Sequence, residues 1–378
     1  MKPDYQLAIC GAGPVGLALA ALLLRNGVPG SSLLILDGKT AAAAISDPRS
    51  IALSWGSRQI LERLSAWPAG TDAIREIHVS RRGHFGRAMM RASELDVPEL
   101  GYVCRYGQVV DRLEKALANS GVQVMRPMML ADTAEHEDSV ELKLDNGLVF
   151  SADLLVQAEG GVFGAQSARA RMRDYQQSAI ISHVVASDMP PARAYERFTD
   201  EGPLALLPQE GGYALVWCMR GERAQNMMQL DDAAFLQALQ DAFGQRVGRF
   251  TRLSRRHVFR LGLNAHEAQT RRTVAIGNAA QTLHPVAGQG LNLGLRDATV
   301  LAGLLAHAPS PDSLARFSSE RRADRRLTIR LTDTMARAFT APLGAGPVQS
   351  LIAGSLGLID MIRPAKRSLA EQMMYGWR

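Results

Sequence analysis

The sequence predicts an α/β fold: a Rossmann-like dinucleotide-binding domain, a smaller domain with a mixed β-sheet, and a helical C-terminal tail. A buried strand, a glycine-rich turn, a helix and a second buried strand follow one another at the start of the chain. A second strand, glycine turn and helix begin at residue 273, and residues 178–260 are mostly strand-like. Apolar strands without alternation are typical of a parallel sheet that is covered on both faces.

The first turn has the spacing of a nucleotide-binding motif. Gly11, Gly13 and Gly16 form G-x-G-x-x-G directly after the strand at residues 5–10. The first glycine permits the tight turn, the second lets the backbone approach a pyrophosphate, and the third lets the helix pack on the strand. Asp37 ends the second strand, about 20 residues beyond the last glycine, where a carboxylate accepts hydrogen bonds from ribose hydroxyls. The N–H groups at the start of the helix suit phosphate oxygens. The predicted dinucleotide contacts are Gly11, Ala12, Gly13, Pro14, Val15, Gly16 and Asp37.

The remaining elements follow from periodicity and turn residues. An Asn-Gly turn within residues 133–157 predicts a hairpin. In chain order, the other predictions are a helix opened by PRSIALS and running through Leu64, a strand and turn within 74–97, a helix at 107–119, a strand at 122–126, one helix at 231–243 among the strands of 178–260, a helix from Gly290 to about Ala306, and a mostly helical tail beyond Asp312.

These elements suggest a discontinuous domain organisation. The nucleotide-binding domain is predicted at 1–75, 98–175 and 258–312. The second domain is predicted at 76–97 and 176–257, and the helical C-terminal segment at 313–378.

Composition narrows the class of protein. The chain has 378 residues and a hydrophobic fraction of 47%, which is ordinary for a globular protein with two domains. Its three cysteines have no paired spacing, so neither a disulfide framework nor a zinc site is predicted, and a cytoplasmic location is expected. The net charge of +6 suits anionic partners, but the arginines are scattered, so no nucleic-acid partner is predicted.

The second glycine motif decides between cofactors. A nicotinamide dehydrogenase has no need of TVAIGNAAQTLHPVAGQGLNLGLRDA so late in the chain, whereas the long FAD molecule needs support at its ribityl and ring ends. Asn278 ends a strand and can bond a ribityl hydroxyl. Backbone N–H groups just before a helix can face the flavin ring and stabilise negative charge on it. The predicted FAD contacts of this motif are Asn278, Gly288, Gln289, Gly290, Leu291 and Asn292.

At these residues the chain resembles the flavoprotein aromatic hydroxylases, the family that includes p-hydroxybenzoate hydroxylase, and the resemblance spans nearly the whole chain. PRSIALS resembles the segment whose arginine, here Arg49, contacts FAD, and RYGQVVDRLEKAL resembles the helix whose glutamine, here Gln108, touches it. Asn278 stands where the family normally has aspartate. An asparagine at this position, the segment IHVSRRGHFG and the segment LGLIDMIRPAKRSLAEQ resemble sequences of one branch of the family. That branch acts on 2-polyprenyl-6-methoxyphenol in ubiquinone biosynthesis.

One motif departs from the family pattern. The Asp-Gly motif associated with FAD and the nicotinamide donor appears as AEGGVFGAQSARA, so that Glu159 replaces aspartate. The arginine that follows the motif corresponds to either Arg169 or Arg171. A plain turn at the end of a strand is the alternative interpretation of Glu159.

The resemblance implies an NAD(P)H-using, FAD-dependent monooxygenase that takes NADPH or NADH and O2 and hydroxylates a lipophilic phenol. His284 is the candidate proton relay, with a structural histidine as the alternative, and the Pro285 carbonyl is a candidate acceptor for the phenol proton. Trp217 is expected to pack in the second sheet, with a place in the substrate pocket as the alternative. No metal site is predicted, because the histidines lack ligand spacing.

The C-terminal segment and the substrate suggest further partners. Basic residues flank an uncharged run from 338 to 359, a pattern that suits either a docking helix or a peripheral position on the inner face of the cell membrane. Contact with a membrane surface or with accessory proteins of ubiquinone synthesis is therefore expected. Two alternatives stay open: another ring position or a soluble phenol as target, and a non-catalytic flavin-binding accessory subunit.

Overall fold

The computed structural model describes residues 3–83, 87–159, 171–265, 269–281, 289–307 and 309–340. The helices within them are α1 (Pro14–Arg25), α2 (Ala41–Ile45), α3 (Trp55–Arg63), α4 (Tyr106–Leu117), α5 (Gly221–Gln229), α6 (Asp232–Phe243), α7 (Gln289–His307) and α8 (Pro311–Thr340). The strands are β1 (Tyr5–Cys10), β2 (Leu33–Leu36), β3 (Ser50–Ser54), β4 (Asp72–Ile74), β5 (Glu76–Arg81), β6 (Arg87–Arg91), β7 (Gly101–Arg105), β8 (Gln123–Met125), β9 (Leu130–Glu135), β10 (Val140–Leu144), β11 (Val149–Gln157), β12 (Arg171–Ala186), β13 (Arg193–Phe198), β14 (Pro203–Gln209), β15 (Gly212–Arg220), β16 (Phe250–Leu253), β17 (His257–Ala265) and β18 (Thr273–Ala275).

The first sheet confirms the predicted Rossmann-like core. Its order over the described residues is β8-β2-β1-β11-β10-β9, with β18 paired to β11, and β8, β2, β1, β11 and β18 run parallel. Strands β1 and β2 are apolar because both faces are covered. On one face, α1, α4 and α7 share a core with the sheet, and on the other the β9–β11 meander packs around Ala8 and Leu34.

The sequence between Arg49 and Leu64 differs from the prediction. PRSIALS does not open the helix. Residues Ser50–Ser54 form strand β3, which pairs antiparallel with β7 in a three-stranded sheet that also contains β4. The helix begins only at Trp55, because the Ser54 hydroxyl caps it by accepting the Ser57 N–H at 3.2 Å.

The second sheet contains the strand-like middle of the chain. Its order is β16-β12-β15-β14-β13-β5-β6, with β17 paired to β12. Two helices, α5 and α6, cover one face, where a single helix was predicted. The missed helix, α5, is only nine residues long and buries only Ala224 and Met227 of its own residues, so the sequence contains too few apolar positions to reveal a helical period.

The pairing of strand β17 affects the predicted boundary between the two domains. Residues 258–312 were assigned to the first domain, but β17 extends the second sheet through its long antiparallel pairing with β12. We therefore propose that the boundary lies after Ala265.

The tail is helical as far as it is described. Helix α8 spans Pro311–Thr340, and residues 341–378, with most of the uncharged run and its downstream basic residues, lie outside the described residues. Over the described part of the chain, no helix combines the length and the apolar character that crossing a bilayer requires.

Candidate functional site

The first glycine turn has the shape that the motif predicts. Gly11 has a φ of +108°, and a Cβ there would lie 2.7 Å from the backbone nitrogen of Glu159. A Cβ on Gly16 would overlap the Gly11 carbonyl oxygen, so the third glycine is what allows α1 to pack on β1. Gly13 caps α1 without a side-chain hydrogen bond, and Pro14 follows in the first turn of the helix. Neighbouring backbone and the Tyr106 hydroxyl already occupy the positions that side chains would take, so only glycine allows the chain to turn this closely before α1.

Two carboxylates border the turn. Asp37 accepts the Ala12 N–H at 2.7 Å and the Lys39 N–H at 2.7 Å, which fixes it at the end of β2. Glu159 is half-buried next to Gly11, and burial, together with the charge of Asp37, raises its pKa to about 7. Burial and the charges of Glu159 and Asp37 also raise the pKa of the Cys10 thiol. The turn is therefore negatively charged on its sheet side and offers helix N–H groups on the other.

Aromatic and basic side chains from β3 and α4 approach the same turn. A Cβ on Gly13 would lie 2.9 Å from the Tyr106 hydroxyl. The guanidinium of Arg49 lies 4.5 Å from the centre of the Tyr106 ring and makes a two-pronged contact with Asp47, with Nε–Oδ1 at 2.8 Å and Nη2–Oδ2 at 2.7 Å. Arg49 thus stands beside the first turn, as the resemblance implies, with its charge paired by Asp47.

Gln108 and Arg126 also lie beside the turn, in different roles. Gln108 Oε1 accepts the Arg105 N–H at 3.3 Å at the start of α4, so part of its amide caps that helix. Arg126 is nearly buried, pairs with Glu114, and donates to the Ala12 carbonyl. It thereby fixes the turn residue whose N–H bonds Asp37.

The second glycine turn adjoins the first through one side chain. Gly277 has a φ of +59°, and a Cβ there would lie 3.2 Å from Val15 Cγ2. A Cβ on Gly294 of α7 would lie 2.6 Å from the same Val15 atom. Asn278 is exposed, and its Oδ1 would lie 3.4 Å from a Cβ on Gly290. The two motifs that lie far apart in the sequence therefore meet across the start of α1.

A buried ion cluster secures the second turn. Asp297 of α7 is fully buried and accepts the Gly277 N–H at 3.2 Å. Arg321 and Arg325 of α8 donate to its two oxygens at 2.8 Å and 3.0 Å. Arg325 also donates to the Ala275 carbonyl at 3.2 Å. Helix α8 therefore fixes strand β18 through the Ala275 carbonyl and the turn at Gly277 through Asp297.

The α7 residues predicted to contact FAD differ in what they offer. Asn292 is buried: its Oδ1 accepts the Ser54 N–H at 2.9 Å and the Ser57 hydroxyl at 2.7 Å, and its Nδ2 donates to the Ala52 carbonyl at 3.0 Å. Its side chain therefore ties α7 to β3. Gln289 is buried and Leu291 partly buried at the start of the same helix. The FAD contacts of these residues stay predictions.

Other predicted site residues fall outside this cluster. Gly288, His284, Pro285 and Arg169 lie outside the described residues, and Arg171 is described only as part of strand β12. Trp217 is 4% exposed, packs edge-on against Phe235 of α6 at 6.0 Å, and belongs to the core between the sheet and its helices. This agrees with packing in the second sheet and places the indole on the face away from the first domain.

Sequence reasoning missed three contributors to the site. Tyr106 stands two residues before Gln108 in the quoted segment, so a closer look at that helix start could have found it. Arg126 follows a predicted strand, where the parallel sheet brings strand ends together. Asp297 lies within the second motif as written, but its arginine partners come from α8, and no local pattern connects them.

The residues present suit FAD. Two glycine turns that leave little space for a Cβ lie side by side, one at the start of α1 and one at Gly277, and Asp37 stands at the end of the second parallel strand. This arrangement has the glycine turn, helix start and acidic residue of a dinucleotide site at the first turn, and the exposed Asn278 amide as a hydrogen-bonding group at the other.

Comparisons with known proteins agree with this geometry. The FAD binding domain family matches residues 4–332. The chain is 28% identical over 393 residues to the ubiquinone hydroxylase UbiL of Rhodospirillum rubrum, covering 98% of this chain and 89% of that protein. It is 30% identical over 329 residues to the 3-demethoxyubiquinol 3-hydroxylase of Escherichia coli, covering 81% and 80%. The crystal structure of p-nitrophenol 4-monooxygenase PnpA from Pseudomonas putida DLL-E4 superposes with a TM-score of 0.79 over the full length of both chains at 16% identity, which is a likeness of fold. The chain therefore belongs to the FAD binding domain family and is an FAD-dependent monooxygenase.

Proposed function

We propose that this enzyme hydroxylates the aromatic ring of a polyprenyl phenol, 2-polyprenyl-6-methoxyphenol, in ubiquinone biosynthesis. The observation that carries the proposal is the similarity to the ubiquinone hydroxylase UbiL over 98% of this chain and to the 3-demethoxyubiquinol 3-hydroxylase over 81% of it. By its name, the second relative is a 3-hydroxylase of a demethoxyubiquinol. Another ring position is therefore the alternative that the comparisons favour.

The residues of the chain would share the cofactor between the two turns. Gly11, Gly13, Gly16 and the start of α1 would hold the diphosphate, and Asp37 the adenosine ribose. Asn278 would bond the ribityl chain, and the start of α7 would face the flavin ring. Arg49, Gln108 and Glu159 would approach FAD from the side of β3, α4 and β11. When bound, FAD supplies the redox chemistry, taking electrons from NADPH or NADH and using O2 to transfer one oxygen atom to the phenol ring.

The chain itself must orient the ring and exclude water. The second sheet turns one face toward the first domain, where Ala194, Leu207 and Ala214 pack against Ile74 and Val103. An apolar wall of this kind suits an aromatic ring and a prenyl tail and shields the reacting atoms from solvent. Contact with a membrane surface or an accessory protein would deliver so apolar a substrate, and the C-terminal segment is the proposed place for it.

Isotope transfer tests the proposal. The purified holoenzyme is mixed with NADPH or NADH, 18O2 and a phenol that carries a methoxy group and one isoprene unit, and the products are weighed by mass spectrometry. We expect a product with one added 18O atom and none from labelled water. Nicotinamide oxidation without a labelled phenol product, or no response to the phenol at all, would contradict the proposed function.

A further inference from the structure

The two faces of the second sheet have different covers. Trp217, Leu206 and Leu215 point to the face that α5 and α6 cover. Because side chains alternate along a strand, Ala205 and Val216 point to the opposite face. Leu207 and Ala214 on that opposite face share a core with Val103 and Leu100 of the first domain. The face opposite α5 and α6 is therefore the one that the proposed function assigns to the substrate.

Glu196 lies on this substrate-side face. Its neighbour Tyr195 belongs to the helix-covered core, whereas Ala194, two residues before it, belongs to the contact with the first domain. Glu196 thus points the same way as Ala194, about 7 Å further along β13. Its direct partners on the adjacent strands are Ala205 and Val79. A carboxyl group here stands in an apolar wall, one position beyond the contact between the domains.

The side chain of Glu196 is partly accessible and has no structural partner among the described residues, in either hydrogen bonds or ion pairs. Burial raises its pKa to about 7. The charge of Glu196 also contributes to raising the pKa of the Cys218 thiol, which places the two groups near each other. An acidic group without a structural role on an apolar, domain-facing wall is a candidate for acid–base chemistry.

We propose that the Glu196 carboxylate contacts the phenol substrate and takes the proton of its ring hydroxyl. The inference rests on the proposed function. In this step the phenol O–H bond breaks, an O–H bond forms on Glu196, and the electron pair stays on the ring oxygen. The resulting phenolate is richer in electrons at the ortho and para carbons, where an electrophilic oxygen attacks. The proton afterwards returns from Glu196 to water.

The surroundings of Glu196 suit this step. Transfer of the proton moves the negative charge from the carboxylate to the ring oxygen, and the raised pKa of Glu196 brings it closer to that of a phenol, so the transfer is less unfavourable than to an ordinary carboxylate. Other groups on the same face are Cys218 on β15, whose pKa is raised by burial, and the buried guanidinium of Arg81 on β5. Where the first domain meets the sheet, Asp72 accepts the Glu210 N–H at 2.8 Å and Arg105 pairs with Glu210, so both are engaged at the hairpin end.

The test compares the holoenzyme with Glu196→Gln. A phenol carrying one isoprene unit is supplied with NADPH or NADH and O2, and the rate of ring hydroxylation per bound FAD is followed from about pH 6 to about pH 9. In the wild type we expect kcat/KM to rise with a midpoint near pH 7, because the base must be ionised to take the proton. In Glu196→Gln we expect this rise to disappear and ring hydroxylation at neutral pH to fall roughly 100-fold or more.

Two further variants keep the test decisive. Glu222→Gln removes an exposed carboxylate from the same domain and should leave the midpoint unchanged. If Glu196→Gln does not retain FAD, Glu196→Asp decides: a hydroxylation rate that still rises with a midpoint near neutral pH supports the proposal, and a rate without that rise contradicts it. An identical pH–rate midpoint and rate in wild type and Glu196→Gln would overturn the proposal and show that another group acts as the base. A wild type that shows no phenol-dependent nicotinamide oxidation would instead contradict the proposed function itself.

Discussion

Both glycine turns are proposed to hold FAD, but different contacts stabilise them. The first turn packs directly against backbone, Gly16 against the Gly11 carbonyl and Gly11 against Glu159, and its flanking carboxylates, Asp37 and Glu159, lie beside it. The second turn is held from behind by Asp297 and two arginines of α8. The first turn therefore depends on the absence of side chains, and the second on the presence of a distant ion cluster.

Removing the space at the first turn should have the largest effect. In Gly16→Ala the added Cβ meets the Gly11 carbonyl oxygen, and neither backbone can move without separating α1 from β1. We expect a loss of more than about 4 kcal/mol in the free energy of unfolding, with loss of bound FAD. Chemical denaturation and the flavin absorbance of the purified protein measure both.

Gly303→Ala is the matched control. It lies in α7 with nothing within 4 Å of its Cβ position, so it should stabilise the helix by about 0.5 kcal/mol and keep FAD. If both variants behaved alike, close packing at Gly16 would not be what holds the first turn.

Removing the charge behind the second turn should have the next largest effect. Asp297→Asn removes one carboxylate from Arg321, which keeps its ion pair with Asp324, and from Arg325, and it weakens the bond to the Gly277 N–H. We expect a loss of about 3 kcal/mol in unfolding free energy and a weaker affinity for FAD, measured by denaturation and by equilibrium dialysis. Asp138→Asn, at a carboxylate that is 94% exposed, should change stability by less than about 0.5 kcal/mol. If Asp297→Asn were as stable as the wild type and bound FAD with the same affinity, the ion cluster would not be what stabilises the second turn.

A smaller effect on stability should depend on pH and should arise at the first turn, where Glu159 lies. The folded pKa of Glu159 is raised from 4.5 to about 7, so the folded chain holds this proton more tightly than the unfolded chain. The stability that this proton contributes is present at low pH and is lost as the pH rises through about 7. The free energy of unfolding of FAD-free Glu159→Gln, minus that of the FAD-free wild type, should therefore increase by roughly 1 kcal/mol between about pH 5 and about pH 8. Thermal unfolding of both proteins across this range measures the gain, and a difference that stays constant with pH would contradict it.

The contrast also explains what could be predicted from the sequence. Gly11, Gly13, Gly16 and Asp37 form a contiguous pattern whose geometry is local, and the structure has the turn, helix and strand where the pattern predicts them. The second turn was equally visible as a motif, but its support comes from Arg321 and Arg325, which only helix packing brings to Asp297.

Elements that depend on distant partners were the ones missed. Strand β3 exists because β7 pairs with it, so PRSIALS alone looked like the start of a helix. Glu196 stands in the segment RAYERF, whose polar and apolar residues do not alternate, so the sequence does not indicate which of its residues share a face. The structure shows that the glutamate points toward the first domain, because helices α5 and α6 pack on the opposite face of the sheet.

The most direct test of one ligand held by two turns compares FAD with ADP, which contains the adenosine and the diphosphate of FAD but no ribityl chain or flavin ring. Calorimetric titration of the FAD-free protein should show that Gly11→Ala weakens both ligands, because both place a diphosphate at the first turn. Asn278→Ala should weaken FAD and leave the affinity for ADP unchanged. If Asn278→Ala weakened ADP as much as FAD, or left FAD unaffected, the division of the cofactor between the two turns would be wrong.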